Sequence, residues 1–205
     1  MESRSLISPT MSPGSREELE WRLSLVDPAE SIRGVVFNSV LEVVRQLGDE
    51  HAVKRCLAVA HEGRFMDYFN YPYRSLIEMT YTAAELLAEK YGGVEKALWQ
   101  MGYQSAMSFY SSTAGRAVLL LSRGGPSRLL DTMPSAFHTT WKSAEVSTHL
   151  TGPRSAVLTY KRDFMPRAYT EGGMQGTFEA AKVKGFKLTA HPIGPLDTEY
   201  QMTWD

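Results

Sequence analysis

The sequence has little that could carry thiol or metal chemistry. It holds one cysteine, Cys56, in 205 residues, so an internal disulfide and a Cys-based metal spacing are both excluded, and a reducing compartment is the fitting one. Long hydrophobic runs are also missing. The longest, Ala117 to Leu121, falls far short of the ~20 residues that span a bilayer, and Met1 to Ser15 lacks the apolar core of a secretory signal, so a cytoplasmic location is expected. Neither sign of charge dominates: 22 Lys and Arg stand against 23 Asp and Glu. Bulk nucleic-acid binding, which needs a concentrated basic excess to release counterions, is thereby excluded. The histidines, His51, His61, His138, His149 and His191, form no i, i+4 pair and have no Cys or carboxylate at ligand spacing, so no metal is predicted. Ser105 and Ser111-Ser112-Thr113 lack an accompanying His and acid, which leaves nucleophilic catalysis without support.

What is there is the composition of an ordinary globular protein, 43% apolar and 22% charged, long enough for one well-buried core. Residues 1–16 mix Ser, Pro, Gly and Met without periodicity and read as a flexible arm; residues 17–205 read as a single domain. Leu19, Trp21, Leu23 and Leu25 alternate with polar residues, which predicts a short strand from Glu17 to Val26 with Glu17-Glu18-Leu19-Glu20 as its solvated edge. Val36, Val40, Val43, Val44 and Leu47 predict a helix over 35–47, closed by Gly48. Further helices are predicted over 50–60, from Tyr71-Pro72 to Gly92-Gly93 with a stripe of Leu76, Ile77, Thr80, Ala83, Ala84 and Leu87, over 94–111 with Leu98, Met101, Ala106 and Phe109, and over 127–141. Ala114 to Leu121 is one more apolar run.

The last third changes period. Residues 143–150 and 155–162 alternate around Thr151-Gly152-Pro153 and predict a β-hairpin. Residues 169–183 return to helical spacing, with Gly172, Gly176 and Ala180 on one face as the close-packing side towards a sheet. Residues 186–190 and 198–204 form a second pair around His191-Pro192-Ile193-Gly194-Pro195. The expected class is α+β: an N-terminal helical bundle packed on a small antiparallel sheet in the order hairpin, helix, hairpin, with no internal repeat. Gly172-Gly173-Met174-Gln175-Gly176 lacks the Gly-Lys-Ser/Thr of a phosphate loop and sits inside helical periodicity, so it reads as packing.

Two segments carry a family likeness. Arg33-Gly34-Val35-Val36-Phe37-Asn38-Ser39-Val40-Leu41-Glu42, with the Tyr71-Pro72 helix and Ser111-Ser112-Thr113-Ala114-Gly115-Arg116, resembles the first half of a paralogous family of myxobacterial proteins. Gly152-Pro153-Arg154-Ser155 through Tyr169-Thr170-Glu171-Gly172 resembles its second half. More distantly, the Arg33-Gly34 helix, the Ala114-Gly115-Arg116 turn and the hairpin-helix-hairpin order are similar to the haem nitric-oxide/oxygen-binding domain, whose outline is shared with vinyl-reductase-like ligand-binding domains and with small TRAPP vesicle-tethering subunits. That resemblance implies an axial His after the Gly115-Arg116 run, where the sequence reads Ser122-Arg123-Gly124-Gly125-Pro126-Ser127-Arg128, and a Tyr-x-Ser-x-Arg clamp, where it reads Tyr160, Arg162 and Phe164. Only the Tyr is kept and His138 lies about three turns too far on, so no haem and no other cofactor is expected.

Three features remain as candidates. From Arg154 to Lys187 bases outnumber acids, and Arg154, Lys161, Arg162 and Arg167 form a candidate docking edge for an acidic protein surface. Phe65, Tyr68, Phe69, Tyr71 and Tyr73, beside Arg64 and Arg74, are a second candidate partner surface, because aromatics and Arg populate interface cores. Cys56 reads as a small core residue, although the TRAPP-like resemblance implies that a buried Cys can carry an acyl chain. The expected function is a non-catalytic regulatory or adaptor domain, with a protein partner such as a small GTPase or a response-regulator-type protein in signalling or cell polarity, or with a second copy of itself. The alternative is a small-molecule sensor that holds an apolar ligand, a lipid or less readily a haem, in the cavity of the fold.

Overall fold

The computed structural model describes residues 11–122, 125–141, 143 and 145–205; the expected arm over 1–10, and residues 123 and 124 of the expected ligand segment, lie outside them. Its order is α1 (Arg16–Leu25), β1 (Ser31–Arg33), α2 (Gly34–Leu47), α3 (Glu50–Val59), β2 (Asn70–Pro72), α4 (Tyr73–Tyr91), α5 (Val94–Ser111), α6 (Thr113–Leu121), α7 (Pro126–Thr140), β3 (Glu145–Gly152), β4 (Ser155–Lys161), α8 (Arg167–Ala180), β5 (Lys187–Pro192) and β6 (Thr198–Thr203). The expected α+β class holds.

The first element differs from expectation. Residues 16–25 are a helix, because end signals outweigh a short alternation: the Ser15 hydroxyl accepts the Glu18 N–H at 3.2 Å, Glu17 and Glu18 occupy the first turn, and Arg16–Glu20 and Glu18–Arg22 pair at i, i+4. Glu18 is accordingly no strand edge; its side chain is 12% exposed against Arg22. The short β1–β2 ribbon was also not foreseen. It pairs Ile32 with Tyr71 and ends where α2 begins at Gly34, whose missing Cβ is required because one would sit 2.2 Å from the Met66 carbonyl oxygen.

Helices α2, α4 and α5 bury most of the stripes their spacing predicts, with Val40, Val44, Leu76, Ile77, Ala83, Ala84 and Leu98 all at or below 1% exposure; on α2 Phe37, outside the expected stripe, is fully buried while Val36 is half-buried. On α5 the buried face is Ala97, Leu98, Met101 and Gly102; Phe109, expected inside, is 45% exposed. The four-stranded antiparallel sheet runs β3-β4-β6-β5, and Ala156, Leu158 and Tyr160 on β4 alternate inward with Thr198, Tyr200 and Met202 on β6.

The small residues of α8 face a helix and not the sheet. A Cβ on Gly172 would lie 1.9 Å from the Trp99 carbonyl oxygen, one on Gly102 1.9 Å from that of Tyr169, and one on Gly176 2.7 Å from that of Tyr103, so α5 and α8 cross with their backbones in contact. Gly172→Ala should therefore cost at least the ~1–3 kcal/mol of an overpacked core. Gly173→Ala, whose Cβ would meet only the Gly102 carbonyl at 3.7 Å, should be neutral or stabilise by up to ~1 kcal/mol through helix propensity. Urea unfolding of the two variants checks the contrast.

Candidate functional site

The clamp position implied by the haem-sensor resemblance begins on β4, where alternation buries Tyr160. The chain then turns at Arg162, a non-glycine residue at φ 56° whose N–H donates to Asp197 at 2.9 Å, and Asp163 and Phe164 are buried behind it. Rings fill the space these residues enclose: Tyr73 lies 5.0 Å from Trp141 and 5.3 Å from Phe164, Trp141 lies 5.6 Å from Phe164, and Phe137 lies 5.2 Å from Tyr160. Edge-on and tilted contacts of this kind add to area burial. Burial, together with the nearby Asp163 charge, pushes the Tyr73 and Tyr160 phenols well above their ordinary pKa.

Glu30 closes the cluster. Its carboxylate accepts the Trp141 indole N–H at 2.9 Å and an Arg162 N–H at 3.0 Å, and its carbonyl accepts the Tyr73 N–H at 3.0 Å. The Arg162 guanidinium is thus committed to a protein carboxylate, and it also lies 5.5 Å over Phe164. At the implied axial position Ser122 is buried and donates to the Val118 carbonyl at 2.9 Å, while His138 is exposed on α7. These residues do not fit a haem: the ring cluster occupies the clamp, and the described part of the ligand segment offers no axial donor.

A second cluster lies one residue further along. The Asp163 carboxylate accepts from the Thr170 hydroxyl at 2.8 Å and from the Met165 N–H at 3.1 Å. Arg22, from α1, donates to the Asp163 carbonyl at 3.1 Å and to Glu18 at 3.0 and 2.8 Å. Burial pushes the Asp163 carboxyl up to about 6, against its hydrogen bonds and the pull of Arg22. A buried site with two carboxylates and one guanidinium carries an excess negative charge, and protonating Asp163 removes it.

A wider opening lies at the other end of β4. A pocket of about 990 Å³ is bounded by Leu119 and Leu120 of α6, Leu129 of α7, Val183 after α8, and the Asp205 end of the chain. Arg116, Arg154, Lys182 and Lys184 also line it, four bases against one acid among the described residues. Helix α6 is Thr-Ala-Gly-Arg-Ala-Val-Leu-Leu-Leu, yet its only buried residue is Gly115; Leu120 and Leu121 are 53% and 72% exposed. An apolar helix with so little of itself covered leaves hydrophobic surface facing solvent.

The candidate residues scatter. Of the basic group, Arg154 lines the open pocket, Lys161 is exposed at the far end of the same strand, Arg162 is tied to Glu30 and Arg167 to Glu171 at 3.3 Å. Of the aromatic group, Phe65 and Tyr73 belong to the core, whereas Tyr68 and Phe69 are 87% and 63% exposed. Cys56 is fully buried with its thiol pushed up to about 11 by that burial, which keeps it a thiol at neutral pH. The histidines lie exposed on α3, after it, and on α7, β3 and β5. Sequence reasoning missed Glu30, Arg22, Asp163 and Trp141. The available signal was Glu18 and Arg22 at i, i+4 in an acidic first turn.

No curated protein sequence matches the chain. A family match covers residues 26–205, and the chain belongs to that family, described as a protein of unknown function, DUF2378. Its fold is similar to that of solved H-NOX proteins. The Fe(II) unliganded H-NOX protein from K. algicida is 13% identical, with a TM-score of 0.65 over 84% of this chain and 96% of that one. An oxygen-binding H-NOX domain related to soluble guanylate cyclases is also 13% identical, with a TM-score of 0.66 over 84% and 95%. At that identity the likeness establishes the fold, and the site must speak for itself.

The raised Asp163 pKa gives stability a defined pH dependence. The unfolded chain loses this proton near its ordinary value of 3.8 and the folded chain at about 6, so the folded form binds the extra proton between those values. This contribution is present at low pH and is lost as pH rises to about 6, a change on the order of 3 kcal/mol. Asp163→Asn, which keeps an acceptor and a donor at the site, should flatten that slope and be the more stable chain at pH 7.5. Urea titrations from pH 4 to 8 check both.

Proposed function

We propose that this member of the DUF2378 family is a non-catalytic small-molecule sensor, a single domain over 17–205, whose ligand is an acyl chain with an anionic head group. The observation that carries the reading is the pocket beside α6, where the exposed Leu120, with Leu119 and Leu129 behind it, stands among Arg116, Arg154, Lys182 and Lys184. Its volume, about 990 Å³, lies at the upper end of small-molecule sites, which are concave and mostly apolar with a few placed polar groups. Leu119, Leu120 and Leu129 supply the wall for a chain, and the bases supply charge-assisted hydrogen bonds to a carboxylate or phosphate. The likeness to H-NOX proteins supports a sensor, while the ring cluster around Tyr160 and Trp141 speaks for a ligand held elsewhere than in the haem position. Among the described residues no helix is long and apolar enough to cross a membrane.

A second reading, an adaptor that binds a protein chain, is favoured by the loop before β2, where Met66, Tyr68 and Phe69 stand 46%, 87% and 63% exposed. A second copy of the chain is the partner this supports. No observation on the fold or among its neighbours favours a small GTPase, a response regulator or cell polarity, and those partners are not carried further.

Two measurements test the leading reading. Titration with haemin should give no bound Soret band, and a stoichiometric one would overturn the exclusion of haem. A fluorescent fatty acid should bind the chain with saturation. Leu120→Asp should abolish that binding and Arg154→Glu should weaken it about tenfold, ~1.4 kcal/mol; binding unchanged in both variants would remove the pocket from consideration. For the adaptor reading, sedimentation should show self-association that Tyr68→Ser with Phe69→Ser abolishes.

A further inference from the structure

Helix α6 is apolar on nearly every side and covered on almost none. Arg116 is its one charge, and Gly115 is its one buried residue. It packs on the end of α5 through that glycine, where a Cβ would lie 2.1 Å from the Phe109 carbonyl oxygen. Away from this edge Ala114 and Ala117 are exposed, and in the last turn Leu120 and Leu121 stand 53% and 72% exposed. A surface helix ordinarily turns such residues to a core and keeps polar ones for solvent; α6 has the reverse arrangement.

The charges around that turn are mostly of one sign. Arg116, Arg154, Lys182 and Lys184 line the pocket beside Leu120, and all four are exposed. Strand register adds a fifth base: Lys187 pairs with Thr203, and Thr203 with Ser155 next to Arg154, so Lys187 stands exposed at the same end of the sheet. The glutamates of the sheet lie at its other end, Glu145 opposite Lys161 and Glu199 beside the Tyr160–Thr198 pair. Among the described residues Asp205 is the one acid that lines the pocket, and none of the five bases enters a salt bridge, whereas Arg22, Arg162 and Arg167 all do. Their charge is therefore free to act outward, over the roughly 8 Å that physiological salt allows.

We propose that this end of the fold docks on the surface of an anionic lipid bilayer, with Leu120 and Leu121 inserted among the head groups and Arg116, Arg154, Lys182, Lys184 and Lys187 set against their phosphates. Exposed leucines ringed by bases are the combination that interfacial helices use, apolar burial and electrostatic attraction each being too weak alone. An acidic protein surface would satisfy the bases and leave the leucines in water. The choice of a bilayer also rests on the acyl-chain reading above: acyl chains are held in membranes, and a pocket that opens beside Leu120 on the docked face receives one without its crossing water. Docking of this kind needs no spanning segment.

Co-sedimentation of the full chain with vesicles tests this. Vesicles of phosphatidylcholine with one third phosphatidylglycerol should bind it at least tenfold more tightly than phosphatidylcholine alone, and the difference should shrink as salt is raised. Leu121→Ser and Lys187→Glu are the informative variants, because neither residue lines the pocket and both are exposed: the first should weaken vesicle binding about tenfold and the second severalfold, while both keep the binding of a soluble fluorescent fatty acid. Lys161→Glu, at the far end of the sheet, should change neither. Absence of binding to anionic vesicles overturns the proposal, as does equal binding to the neutral ones, or vesicle binding that Leu121→Ser leaves intact or that Lys161→Glu weakens as much as Lys187→Glu. A chain that binds fatty acid but no vesicle loses the docking surface alone; one that binds vesicles through Leu121 and Lys187 but no fatty acid keeps the docking surface and loses the pocket's ligand.

Discussion

The backbones of α5 and α8 touch, and the placement of the remaining elements follows from that contact. Gly102 and Gly172 each face a carbonyl of the opposite helix at a distance that leaves no room for a Cβ, so the two axes come closer than side-chain packing ordinarily allows. Helix α8 is also the connection between β4 and β5, and the four-stranded sheet is carried on it. Fixing α8 against the bundle therefore fixes where the inner face of the sheet meets α4 and the end of α7. Tyr160 and Phe164 reach Tyr73 and Trp141 as a consequence.

That meeting accounts for how the chain differs from the gas sensors whose fold it shares. A haem cavity needs a wall that stays apart from its neighbours and donors that point into it. Here the wall is closed by rings, and the polar groups at its edge, the Trp141 indole and the Arg162 guanidinium, satisfy Glu30 instead of a ligand. Packing of this kind fills the clamp region with side chains. The apolar surface that is left over sits outside, on α6, where Leu120 and Leu121 face solvent, Leu120 beside four bases.

Charge inside the fold is concentrated under α1. Glu18, Arg22 and Asp163 are all largely covered, and a buried pair contributes less to stability than its Coulomb attraction suggests because both partners lose water.

Much of the fold was legible in one dimension. Helices α2 to α5 were readable because stripes such as Val40, Val43, Val44 and Leu47 repeat over several turns, and periodicity sustained that long has one reading. Both hairpins were readable from alternation broken by Gly and Pro. Where the signal was short, as at Leu19 to Leu25, the local competition between alternation and helix capping was decided the other way. The departure from the haem-sensor pattern at Ser122, Arg162 and Phe164 was also legible, since it is a statement about residue types. What the chain could not show was adjacency. Glu30 meets Arg162 across 132 residues and Arg22 meets Asp163 across 141, and no local pattern encodes a contact at that separation. The split of the basic group has the same cause, because Arg154 and Lys161 are near in sequence yet stand at opposite ends of an extended strand. Residue types by themselves determined the class of fold; burial and long-range contact, which only the tertiary packing sets, decided which charges are buried in pairs and which stand on the surface.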